Sequence, residues 1–262
     1  MKTVITSMTK QYYEEKGGKK CIETFLQNWP EDTKLVVYWE DDQFLPIGDG
    51  GLSEPDLRLQ YVQIEFVEHL QGFLDAISYF PLMSGNVGNG YNIEYDARMC
   101  RAGLIHAHAM KTIGGKVFWI DADTVTHSKV THEFLDELLP DDKLACCLRR
   151  PHFNTETGFL GMNADHPDAK QWVEMWQTVY TSGAIFTQKG WHDNWGFDLA
   201  YKWLNKPDVF NDLARALPEG CMHVLINSRV GSVMDHLKGN RKNGKSRKDD
   251  LIWARPEPYW ND

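Results

Sequence analysis

An α/β fold built on a mostly parallel sheet, with helices on both faces, is what this sequence predicts, and three observations predict it. Apolar runs rich in β-branched and aromatic residues recur, as in Leu35-Val36-Val37-Tyr38-Trp39 and Val117-Phe118-Trp119-Ile120, and read as strands buried on both faces. Segments with helical periodicity lie between them, the alternation that gives parallel strands joined by helical crossovers. Carboxylates also gather where strands end, and in open α/β sheets that is where ligands bind.

In chain order, residues 2–9 alternate and are β-branched, the pattern of a first strand. The mixed charges of 12–20 read as a loop or helix start, 21–29 as a short helix ended by Pro30, and 35–39 as a second strand. Glu40-Asp41-Asp42 reads as a solvated loop, continued by the Gly- and Pro-rich residues 43–55. Phe66, Leu70, Phe73 and Ile77 fall on one helical face, and residues 84–90 form a glycine-rich surface loop without a phosphate-cradle pattern. Ala97, Cys100, Leu104 and Ala107 mark another helix, with Arg98 and Arg101 together on a neighbouring face. His106 and His108 point in different directions there and make poor joint metal ligands. Helices are expected at 131–139, 168–180 and 191–204, strands at 143–148 and 222–226, and a turn running into a strand at 153–163. Trp172, Trp176 and Val179 fit a core stripe rather than a sugar platform.

A chain of 262 residues, 42% of them apolar, can bury a substantial core. No basic and apolar leader and no run of 18 apolar residues is present, so neither a signal peptide nor a membrane span is expected, and the expected location is the cytoplasm. The five cysteines lack C-x-x-C spacing, and the adjacent Cys146 and Cys147 sit in an apolar segment, which suits buried reduced thiols. A net charge of −9 argues against a general polyanion binder, yet Lys238, Arg241, Lys242, Lys245, Arg247 and Lys248 form a local basic arm.

The chemistry concentrates in Gly114-Gly115-Lys116-Val117-Phe118-Trp119-Ile120-Asp121-Ala122-Asp123-Thr124. Two carboxylates one residue apart at a strand end suit a divalent cation that substrate phosphates also bind. The plainer reading is a polar turn closing a strand. Asp193 is open in the same way: an N-cap of the helix it begins, or a functional carboxylate. The basic arm is either a solvated tail or a phosphate-binding element.

Together these pieces resemble a glycosyltransferase of the GT-A fold, and more closely the retaining family that includes glycogenin and the bacterial lipopolysaccharide galactosyltransferases. That family runs from a helical arginine through an apolar strand ending in Asp-x-Asp, an Asn-Ser-Gly-type turn and an Asp-rich helix start to a late His-x-x-Gly-x-x-Lys. Arg98, Asp121-Ala122-Asp123, the turn at 154–158, Asp193-Asn194 and the run from His236 to Lys242 occupy those places in order. Thr155-Glu156-Thr157 replaces the compact turn, and Asn243-Gly244 stands where the family has Pro-Trp.

The resemblance implies a single GT-A (Rossmann-like) domain over 1–262. Within it, 1–123 is the nucleotide-binding half, 124–235 the acceptor-side half and 236–262 the metal- and phosphate-binding segment. It implies Mn2+ or Mg2+ held by Asp121, Asp123 and His236, and a nucleotide-sugar donor, a UDP-sugar, met by Thr6, Arg98, Asp121, Gly239 and Lys242. Gly239 lets the backbone approach a pyrophosphate, and Lys242 neutralises charge on the leaving diphosphate. Asp193 and Glu156 are the competing carboxylates at the sugar, and transfer with retention is the expected outcome. The acceptor is a glycan or a hydroxymethylated pyrimidine in DNA, as in some viral glycosyltransferases, which would place the protein in a host cytoplasm. Two alternatives stay open: a nucleotidyltransferase that makes the sugar nucleotide, and an inactive binding module of the same fold.

Overall fold

The apolar runs expected to be buried strands take those places. In a computed structural model of the chain, β1 (Lys2–Met8) lies between β2 (Lys34–Trp39) and β4 (Lys116–Ile120) and runs parallel to both. The structure describes residues 1–41, 56–78, 93–150, 152–238 and 244–261, with the backbone alone at 78 and 93–98. The expected loops at 43–55 and 84–90 lie outside the described residues.

The remaining strands of the main sheet are β3 (Leu59–Gln63), β6 (Ala145–Leu148), β7 (Glu156–Asn163) and β8 (Phe210–Asp212). Among the described residues the order is β3-β2-β1-β4-β7-β6-β8. Every pairing is parallel except the two made by β7, which is antiparallel to β4 and to β6. Strand order reverses direction between β1 and β4, so the carboxyl ends of these two strands open the crevice of the sheet.

Helices cover both faces, as the alternation of elements predicts. On one face, α3 (Leu70–Ser78), α4 (Ile93–Ile113), α6 (Ala169–Thr181) and α7 (Asp193–Leu204) pack around Ile5, Trp119, Trp172, Trp176 and Phe197. On the other, α2 (Gly18–Asn28), α5 (His132–Leu138), α8 (Val224–Asn227) and α9 (Pro258–Asn261) enclose Phe25, Trp39, Phe118, Leu135 and Trp260. Trp172 and Trp176 are fully buried, the core role their helical spacing predicts. Cys146 and Cys147, adjacent on β6, enter opposite cores because side chains alternate along a strand. Both thiols are free and buried, and burial pushes both well up from the ordinary thiol range.

Three local expectations are corrected, and two strands appear where none was expected. The helix expected to include Phe66 begins only at Leu70: His69 has a φ of 66°, which breaks the helical path, and Phe66 lies exposed in a 3-10 turn. The strand expected at 222–226 is instead the one-turn helix α8, whose Val224, Leu225 and Ile226 are all buried; periodicity does not distinguish so short an apolar run. β3 and β8 escaped the strand pattern because one is a polar edge strand and the other spans three residues. Glu40 is no solvated loop residue: its carboxylate accepts from Arg101 Nη1 at 3.0 Å. Burial raises its pKa, against the pull of Arg101.

Candidate active site

At the end of β4 the chain turns back on itself, with the Thr124 amide donating to the Asp121 carbonyl at 2.9 Å. It then forms β5 (Thr124–Thr126), which pairs antiparallel with β9 (Met234–His236) in a separate two-stranded sheet. The register sets Thr124 opposite His236, and the Leu237 amide donates to the Asp123 carbonyl at 3.0 Å. This short ladder seats the late histidine on the Asp-x-Asp.

The imidazole Nε2 of His236 lies 3.2 Å from Asp121 Oδ2 and 3.0 Å from Asp123 Oδ1. One ligand atom from each of the three residues falls within 4.8 Å of the others. Burial works against charge on His236, but the carboxylates of Asp123 and Asp121 outweigh it and hold the imidazole up at about 10. The other oxygen of each carboxylate is engaged from the side. Trp119 Nε1 donates to Asp121 Oδ1 at 2.9 Å, and Tyr12 Oη, on α1 (Lys10–Glu15), donates to Asp123 Oδ2 at 2.9 Å.

The antiparallel course of β7 brings its first residues beside the end of β4, where the Asp121 amide donates to the Gly158 carbonyl at 3.0 Å. Glu156 enters the site in this way. Its carboxylate accepts from Lys238 Nζ at 2.6 and 2.7 Å, faces Arg150 Nη1 at 3.4 Å, and lies 3.8 Å from His236 Nδ1. Burial would raise its pKa, but Lys238, His236 and Arg150 together hold the carboxyl down at about 2. Glu156 is thus a fixed anion behind the histidine, and a poor proton acceptor at neutral pH.

Gly158 lies directly beneath the His236 ring: a Cβ there would come 2.4 Å from its Cε1 and 2.5 Å from its Nδ1. Because the obstruction is a buried ring held on both sides, the ring must move. Gly158→Ala is expected to weaken divalent-metal binding about 10- to 100-fold, the usual cost of disturbing a ligand's support, as read by Mn2+ titration.

Asp193 occupies the first turn of α7, and the N-cap is His192, so the capping reading of Asp193 is set aside. Its carboxylate is buried and bonded by the Thr157 side chain and the Asn194 backbone. Burial first, then the neighbouring Asp121 carboxylate, push it up to about 7, the range suited to proton transfer at neutral pH. The turn before β7 is tied to the same helix: Asp198 accepts from Asn154 Nδ2 at 3.0 Å, Thr155 N at 3.2 Å and Thr155 Oγ1 at 2.6 Å. Two carboxylates of contrasting basicity therefore border the cluster, Glu156 behind the His236 ring and Asp193 beside Asp121.

The structure brings together Asp121, Asp123, His236, Glu156 and Asp193. Thr6 is fully buried in β1, its hydroxyl without a partner among the described residues. The side chain of Arg98, and Gly239 and Lys242 entirely, lie outside the described residues. The basic arm is not a free tail where it is described. Lys238 pairs with Glu156, Lys245 donates to the Tyr259 carbonyl at 3.0 Å, and Lys248 donates to the Asn261 carbonyl at 3.3 Å. Ser246, buried between them, donates through its amide and hydroxyl to Asp235 at 2.8 and 2.6 Å. Sequence reasoning missed Tyr12, Trp119 and Arg150 as parts of the site, and it had Gly158 only as the end of the turn at 154–158. Trp119 alone carried a local signal, since it stands two residues before Asp121 on the same side of the strand.

No protein-family model matches the chain, and no curated protein matches its sequence. Its backbone is similar to several solved structures. Mouse xyloside xylosyltransferase 1, in its apo form, is 10% identical with a TM-score of 0.49 over 81% of this chain and 85% of that chain. The apo bifunctional glycosyltransferase WbbM is 12% identical with a TM-score of 0.47 over 81% of this chain and 38% of that one. The PaToxG glycosyltransferase is 12% identical with a TM-score of 0.43 over 77% of this chain and 69% of that one.

Proposed function

We propose that this protein is a divalent-metal-dependent glycosyltransferase that moves a hexosyl or pentosyl group from a nucleotide sugar, a UDP-sugar, to an acceptor hydroxyl. The observation that carries the reading is the convergence of Asp121, Asp123 and His236 at the carboxyl end of β4, in the crevice of an open α/β sheet. The donor set fits a cation: carboxylate oxygens suit Mn2+ and Mg2+, and the imidazole nitrogen favours Mn2+ of the two. When bound, the cation supplies Lewis acidity to the departing diphosphate. His236 would ligate it as the neutral imidazole, giving up its proton, so affinity would rise with pH.

The chain's own residues supply the rest. Asp121 and Asp123 hold the cation from the strand end and His236 from β9. Glu156 keeps the imidazole ring oriented and is itself neutralised by Lys238 and Arg150. Asp193 stands beside Asp121 as the carboxylate that would hold the sugar or acceptor hydroxyl. Arg98, Thr6, Gly239 and Lys242 remain the proposed donor contacts, with Lys242 for the leaving diphosphate, and retention the proposed outcome. The acceptor is a glycan or a hydroxymethylated pyrimidine of DNA. Lys238 and Lys245 are bonded within the chain, so among the described residues it is the exposed Arg247 and Lys248 that the DNA reading rests on.

Incubation with UDP-, GDP- and TDP-sugars, in Mn2+ or EDTA, tests the proposal. The expected result is slow release of the nucleoside diphosphate from one donor with Mn2+ and none with EDTA. Release of pyrophosphate from a nucleoside triphosphate instead would assign a nucleotidyltransferase, and no turnover of any donor would leave a binding module.

A further inference from the structure

We infer that Tyr12 and Trp119 are positioning residues that set the affinity and selectivity of the Asp121–Asp123–His236 cluster for a small divalent cation. The inference rests on the metal-site reading above and adds residues that lie outside the Asp-x-Asp and the late histidine motif.

The two carboxylates are treated alike by unrelated parts of the chain. Each has one oxygen turned to the His236 Nε2, Asp121 through Oδ2 and Asp123 through Oδ1. The other oxygen of each accepts from a neutral aromatic donor at 2.9 Å, the indole of Trp119 for Asp121 and the phenol of Tyr12 for Asp123. A carboxylate rotates about its last torsion with little resistance, and a single hydrogen bond on one oxygen is enough to define which oxygen faces a ligand.

Both donors are themselves held. Trp119 is buried in β4, with the His106 ring edge-on at 4.4 Å. Tyr12 sits on α1, whose first turn is capped by the Thr9 hydroxyl accepting from the Tyr12 amide at 3.1 Å. Neutral donors also leave the negative charge of the pair intact, whereas a lysine or arginine in either place would compete with the cation.

A carboxylate with one oxygen engaged offers a cation a single oxygen. That suits Mn2+ and Mg2+, which take about six ligands and keep places for phosphate oxygens and water. It disfavours Ca2+, which takes about six to eight ligands and readily accepts both oxygens of one carboxylate. Freeing the second oxygen should therefore weaken Mn2+ and relax its preference over Ca2+.

The test is Mn2+ titration of the full chain by the electron paramagnetic resonance signal of the free ion, without nucleotide, followed by displacement with Ca2+. Parent, Tyr12→Phe, Trp119→Phe and the control Tyr13→Phe are compared, with thermal unfolding of each. The expected result is about a tenfold loss of Mn2+ affinity in Tyr12→Phe and in Trp119→Phe, with a smaller Mn2+-to-Ca2+ ratio and no change in Tyr13→Phe. Tyr12→Phe keeps the ring and its packing, so it decides the matter if Trp119→Phe unfolds. Unchanged affinity and ratio in a folded Tyr12→Phe would overturn the positioning role and leave the metal site standing. A parent chain that binds no Mn2+ would overturn both.

Discussion

Asp123→Ala is expected to lower metal-dependent release of nucleoside diphosphate by about a thousandfold or more, while the protein stays folded. Asp123 is the buried member of the carboxylate pair and faces the His236 Nε2 at 3.0 Å. Its removal would take away a proposed ligand and one of the two Asp-x-Asp carboxylates that would attract a cation to the crevice. A Lewis acid supplies several kcal/mol to a departing diphosphate, and each 1.4 kcal/mol or so is a tenfold change in rate. The fold should survive, because the contact that seats β9 on this turn is made by the Asp123 backbone carbonyl. The check is diphosphate release together with Mn2+ titration of the variant. Full activity with Mn2+ bound as in the parent would refute the proposed cation site.

Glu156→Ala should be the most destabilising change in the site, by about 3–5 kcal/mol, the range found when one partner of a buried ion pair is removed. Lys238 would keep water as a partner, since half of its side chain is exposed, and His236 would keep Asp121 and Asp123, but Arg150 would be left charged and largely buried without its carboxylate. The pH dependence has a definite sign. Glu156 is held at about 2 against an ordinary 4.5, so its contribution is fully present above pH 4.5 and is lost as the pH falls toward 2. Urea unfolding at pH 7 and at pH 3 is the measurement: the gap between parent and variant should be wide at pH 7 and narrower at pH 3. An equal gap at both values would mean that the carboxylate is not held by its cations.

Much of the fold was legible in the chain. Val117 to Ile120 and Leu35 to Trp39 are too apolar for any place but the middle of a covered sheet, and the stripes through Cys100 and Trp172 could only face a core. Lines of evidence parted where a run was short. Val224 to Ile226 satisfies a strand or a helix turn equally, and burial on every side chose the helix. The cluster of Asp121, Asp123 and His236 was legible only where its residues are neighbours in sequence, as Asp121 and Asp123 are, or where a resemblance to a family suggested joining distant ones, as with His236.

The sequence by itself therefore determined the class of the fold, the strand that ends in two carboxylates, and the residues able to hold a cation there. Tertiary structure alone decided the reversed direction of β7, which carries Glu156 and Gly158 under the histidine, and the pairing of β5 with β9, which delivers the histidine. It also decided that a phenol from α1 would hold Asp123 and that a lysine of the basic arm would be engaged by a buried glutamate. Local patterns state how buried a residue must be and with what period. They do not state which distant residue it will meet, because that follows from strand order and register, which the packing of the whole chain selects.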